Sequence, residues 1–163
     1  MTETERIADQ LKRSHEGIAW HGPSLRELLQ GITAEQAARK TGEAHSIWEL
    51  VLHIAAWELA GARMVRGEVV EDLTPDQDWP AVGEPAELQW SETIKELDAA
   101  HAELAEAIRQ CAPERLSETA PGKKYSIYFL LHGIVQHNLY HAGQIAILRK
   151  LAPPAVDPRQ HLA

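Results

Sequence analysis

A chain of 163 residues accommodates one ordinary compact core and would crowd two. With 44% hydrophobic and 25% charged residues, its composition excludes the disordered and fibrous classes. A formal net charge of -8, with basic residues scattered along the chain, argues against nucleic acid as a partner, because a phosphate backbone would be repelled.

The periodicity of apolar residues predicts four helical segments separated by Gly, Pro and Asp. The first covers residues 4–20, with Ile7, Leu11, His15 and Ile18 on one face. His21, Gly22 and Pro23 break it, a short piece follows to Leu29, and Gly31 ends that. The second begins after His45, where Ser46 followed three residues later by Glu49 has the spacing of a capping box, and runs to about Arg66. Its stripe is Leu50, His53, Trp57, Gly61 and Met64.

The third segment covers residues 86–111, with Trp90, Ile94, Leu97, His101, Leu104 and Ile108 on one face. The fourth covers residues 126–151, with Ile127, Leu130, Ile134, His137, His141, Ile145 and Leu148 in register, and Pro153 and Pro154 end it. Residues 152–163 read as a loose tail. No strand alternation is visible, so the prediction is all-α: one four-helix-bundle domain over residues 1–163. The stretch 67–85 is long for a tight turn. Fully extended it reaches about 60 Å, about twice the length of a 20-residue helix. It can therefore cross the bundle and let helices two and three run in the same direction, giving an up-down-down-up order, and it can serve as a rim or lid.

Cys111 is the only cysteine, which rules out an intramolecular disulfide. No apolar run approaches the ~20 residues that span a bilayer, and the polar amino terminus does not read as a secretory signal. The expected location is the cytoplasm.

His137 and His141 are one helical turn apart, so their imidazoles can converge on one ion. Both lie on the apolar stripe of the fourth segment, and His53 lies on that of the second. A buried imidazole left unpaired costs about 1–3 kcal/mol, and three facing one interior can meet that demand together through a metal. The alternative is three separately satisfied core histidines. A three-His set leaves at least one coordination position open, and neutral imidazole suits Zn²⁺, Ni²⁺, Cu²⁺ or Fe²⁺ rather than Mg²⁺ or Ca²⁺.

Four stretches carry a resemblance: HSIWELVLHIAAWE (45–58), HNLYHAGQI (137–145), LQGITAEQA (29–37), and DWP (78–80) followed by Trp90. Together they resemble the DinB/YfiT-like family across nearly the whole chain. The resemblance implies a four-helix bundle whose metal ligands fall at His53, His137 and His141. It also implies a homodimer, for which the five Trp residues suggest surplus aromatic surface. The family includes metal-dependent hydrolases and transferases that use low-molecular-weight thiols such as bacillithiol or mycothiol. The expected function is therefore metal-dependent chemistry on a small molecule, thiol S-transfer ahead of hydrolysis, with Zn or Ni as the ion. A non-catalytic metal- or ligand-binding module is the alternative.

Five further residues are read as pocket candidates, each with a plainer reading. His15 and His101 fall on core-facing stripes and can line the pocket or simply be satisfied core histidines. Glu49 can act as a base or as a helix cap, Trp57 forms a pocket wall, and Gln144 can orient substrate. His132 is turned roughly 140° from the ligand face and is excluded, as is His161 in the tail. Cys111, at a helix end without a nearby His, reads as a structural thiol.

Overall fold

The computed structural model describes residues 1–151, and all regular secondary structure among them is helical. The predicted tail 152–163, with Pro153, Pro154 and His161, lies outside the described residues. Four long helices form the bundle: α1 (Glu3–His15), α4 (Ile47–Val65), α6 (Glu87–Gln110) and α7 (Ile127–Leu151). Three short ones decorate it: α2 (Leu25–Leu29), α3 (Ala34–Ala38) and α5 (Pro75–Asp78).

Capping explains where these helices start. Ser46 and Glu49 form the box the sequence predicts, and equivalent boxes open α1 (Thr2, Glu5), α2 (Ser24, Glu27), α3 (Thr33, Gln36) and α5 (Thr74, Gln77). α3 and α5 are not predicted by periodicity, because five or four residues are too few to show a repeat. α1 stops at His15 instead of residue 20. Gly17 takes a positive φ of 79°, and beyond it Ile18 is 90% exposed rather than part of the core.

Cross-helix contacts give the directions. Trp48 Nε1 donates to Thr93 Oγ1 at 2.9 Å, Glu58 meets His101, and Gly61 faces Leu104, so α4 and α6 run side by side in the same sense. On α7 the partners descend as α4 ascends: His53 meets His141, Glu58 meets Asn138, and Gly61 meets Ile134. α7 is thus antiparallel to both. The connection between α4 and α6 turns at Gly67, buries Val70, and returns past His53 before reaching α6.

The apolar core is split. One cluster includes Ile7, Leu11, Met64, Leu104, Ile108 and Leu131; the other includes Leu25, Ile47, Ile54, Leu97 and Ile145. Between them α1 contributes His15, α4 contributes Glu58, α6 contributes His101, and α7 contributes His137, Asn138 and His141. A polar layer therefore crosses a bundle that is apolar above and below it, and its groups must be satisfied by one another or by a ligand.

Candidate metal centre

α4 and α7 bring His53, His137 and His141 together, with donor atoms all within 4.8 Å of one another. His53 and His141 are buried and His137 is half-buried. The Nε2 atoms of His53 and His137 are 2.9 Å apart. The outer nitrogens are tied back. His53 Nδ1 lies 2.7 Å from the Asp78 carbonyl oxygen and 3.1 Å from its carboxylate. Both partners only accept, so Nδ1 carries the proton and Nε2 presents its lone pair inward. His141 Nδ1 donates in the same way to Gln144 Oε1 at 2.7 Å.

Burial, and after it the neighbouring His141 and His53, holds the His137 imidazolium pKa down at about 4, and burial likewise lowers that of His141. These imidazoles are neutral near pH 7, as metal ligands must be. Three imidazoles whose nitrogens converge, two of them in short contact, are a donor set that a late transition-metal ion fits.

Asp78 comes from α5 at the end of the crossover and also accepts from Trp57 Nε1 at 2.7 Å. Asp78 thus holds the His53 ring through its carbonyl, with its carboxylate alongside, and the Trp57 indole through that carboxylate, an arrangement like the one that orients metal-binding histidines elsewhere. Trp79 stacks on His53, centroids 3.9 Å apart and planes within 4°, and His45 stacks on Trp79. The crossover therefore closes one side of the cluster. On another side lies a pocket of about 230 Å³ lined by Trp57, Tyr125, Phe129, Leu130, Gly133, Ile134 and His137. A larger groove of about 790 Å³, between His21, Leu28, Gly143 and Arg149, includes none of the three histidines.

The remaining sequence candidates divide. Trp57 lines the pocket next to His137. Gln144, read as a substrate-orienting residue, instead holds a ligand ring through His141 Nδ1. Glu49 does not face the cluster: its carboxylate accepts from the Ser46 backbone at 2.7 Å and pairs with Lys40, so capping takes the place of the pocket role. His132 faces away, 3.8 Å from Glu3 across the α1 interface. Cys111 is buried in the apolar half, its thiol pKa raised by burial.

His15 and His101, read as pocket residues, belong to a second assembly. Their rings stack in parallel, 3.9 Å between centroids and 8° between planes. His101 Nδ1 is 3.3 Å from Glu58 Oε1, and Asn138 Nδ2 donates to that oxygen at 2.7 Å. His15 Nε2 lies 3.0 Å from Asp98 Oδ1, and Asp98 pairs with Arg26 at the surface. Burial, and then His101, lowers His15 to about 4. Glu58 is 0% exposed.

Sequence reasoning assigned no role to Asp78, Glu58 or Asn138. For Asp78 a signal existed in the DWP segment. For Glu58 it was an acidic residue inside an otherwise apolar helix. Asn138 sits one position from His137, and the helical wheel does not show that α4 offers it a carboxyl.

In comparison with known proteins, the family model of the DinB superfamily matches residues 18–145. No curated protein and no solved structure matches the chain.

Proposed function

The chain belongs to the DinB superfamily, and on that premise we propose that it is a metal-dependent enzyme holding one divalent transition-metal ion through His53, His137 and His141. The single observation that carries this reading is the wiring of the cluster. Three imidazoles converge, and the outer nitrogens of two of them are held by Asp78 and Gln144. A divalent ion there, Zn²⁺ or Ni²⁺ for choice, supplies a Lewis-acid centre with at least one position open for exchange.

The preferred reaction is S-transfer from a low-molecular-weight thiol to a small electrophile, ahead of hydrolysis. Hydrolysis calls for a free carboxylate or imidazole to manage the proton of water. The carboxylate that touches this cluster, Asp78, is already engaged by His53 and Trp57. A thiol brings a nucleophile that ionises near pH 8–9 by itself, at roughly its ordinary pKa. In this reading Asp78 and Gln144 orient the ligand rings, and Trp57 and Trp79 keep water from the faces they cover.

The test begins with elemental analysis of purified protein, which should carry close to one equivalent of metal. Wild-type metal content in both His53→Ala and His137→Ala would overturn the assignment. Metal-loaded protein is then assayed with thiols plus electrophiles and, in parallel, with esters and amides. Turnover of the second set alone would replace transfer with hydrolysis, and silence in both would favour a non-catalytic binding module.

We also propose a homodimer. The ground differs from the sequence-based one, because Trp48 and Trp90 are buried and Trp57 and Trp79 are half-buried. Exposed apolar side chains elsewhere include Trp20 and, along α7, Phe129, Tyr140 and Ile147. A monomeric mass by sedimentation at micromolar concentration would rule the dimer out.

A further inference from the structure

The pocket of about 230 Å³ next to His137 differs in chemistry as well as place from two larger hollows of the molecule. Its walls are almost entirely carbon, and no Asp, Glu, Lys or Arg lines it. The groove of about 790 Å³ includes Glu27, Arg149 and Lys150, and a hollow of about 480 Å³ near α3 includes Glu35, Arg39, Lys40 and Glu49. No side chain of opposite charge lines the pocket to receive a charged group that has lost its hydration, so away from the histidine end it favours neutral groups.

Size narrows the occupant. An enclosed apolar cavity of about 150 Å³ binds benzene, so this open pocket has room for a ring with a few further atoms. Shape narrows it again. The α7 residues along it run from His137 through Gly133 to Phe129, two turns or about 12 Å at 1.5 Å per residue. A group lying there points one end toward the three histidines and the other toward the exposed Phe129 ring.

Gly133 borders this space without a side chain to fill it. A glycine inside a helix costs about 1 kcal/mol relative to alanine, so it calls for a reason. At Gly61 the reason is packing, since a Cβ would sit 2.3 Å from Ile134 Cδ1. At Gly133 a Cβ would meet nothing within 4 Å, because the space in front of it is the pocket.

We propose that this pocket binds a neutral aromatic or alkyl group of roughly toluene to indole size, that this group is the apolar part of the substrate, and that Gly133 sets the length accepted. Only the word substrate rests on the function proposed above; the binding of such a group does not.

The test titrates full-length protein, zinc-loaded and chelator-treated, with toluene and indole by calorimetry and ligand-observed NMR, and the chelator-treated protein also with benzenesulfonate as a charged counterpart that no bound ion can then attract. The neutral compounds should bind with millimolar affinity or better and benzenesulfonate at least tenfold more weakly. Gly133→Leu should weaken the neutral compounds at least tenfold without changing zinc content. Gly133→Ala, which adds a Cβ in open space, should weaken indole about threefold and gives the answer if the leucine variant does not fold. Binding of indole to these variants as to wild type, or equal binding of benzenesulfonate, would overturn the inference. Protein that takes up no zinc yet binds the neutral compounds would remove the metal reading and leave the pocket in place.

Discussion

Two groups of histidines share the polar layer of this bundle, and they are wired in opposite ways. In the first, His53, His137 and His141 meet at angles, two of them anchored by their outer nitrogens, with donor atoms converging. In the second, His15 and His101 lie flat on each other and their hydrogen bonds point outward, to Asp98 and Glu58. Parallel stacking keeps ring nitrogens from converging, so the second group bonds to neighbouring side chains while the first gathers nitrogens in a geometry that could hold a cation. Residue type and burial are similar in both; orientation, set by neighbours from other helices, separates them.

Metal content gives the sharpest test of this difference. His53→Ala and His137→Ala should lose most of their metal, whereas His15→Ala and His101→Ala should keep a full equivalent. Chelation should lower the melting temperature of wild type and of the second pair, because the ion binds the folded state alone. Metal loss in His101→Ala equal to that in His137→Ala would erase the distinction.

Acid should destabilise the metal-free protein through both groups. His15 and His137 are held at about 4 when folded, against an ordinary value of 6.5. Between those values the unfolded chain binds more protons, so stability is full above about pH 6.5 and falls as pH drops toward 4. For His15, which is 4% exposed, the loss is on the order of 3 kcal/mol. Urea titrations across this range on wild type and His15→Phe should show the variant with the shallower pH dependence. Equal slopes would argue against a buried neutral His15.

Asp78→Ala probes how far the first group depends on its anchors. The variant keeps the backbone carbonyl that accepts from His53 but removes the carboxylate shared by His53 and Trp57, which should weaken metal binding about tenfold, read by competition with a chelator, while leaving the stoichiometry at saturation unchanged. An unchanged affinity would mean that the Asp78 carbonyl and the packing under Trp79 are enough to hold the ring.

The smallest effect is expected at Glu58→Gln. The amide keeps an acceptor for Asn138 and alters one hydrogen bond in the second group, a loss of about 1 kcal/mol by urea denaturation. Metal affinity should stay as in wild type. A drop comparable to that of Asp78→Ala would show that the two groups act as one.

Much of this was legible in the sequence, and the reason is locality. Helices α4, α6 and α7 are long enough for their repeat to reveal a buried face, and Ser46 with Glu49 marks a start within four residues. The same repeat places His53, His137 and His141 on inward faces. It places His15 and His101 there as well, since a repeat identifies the inward side of a helix without identifying the neighbour on that side. Which histidines converge and which stack was decided by the packing of α1, α4, α6 and α7. The same packing sent Asn138 to Glu58, and the return path of the crossover carried Asp78 to His53 across 25 residues of chain. Such partners are remote in sequence and meet only when the bundle closes. The sequence by itself therefore determined an all-α chain with histidines facing its interior, and tertiary structure decided which of them share a site, because orientation in a packed layer depends on every helix that bounds it.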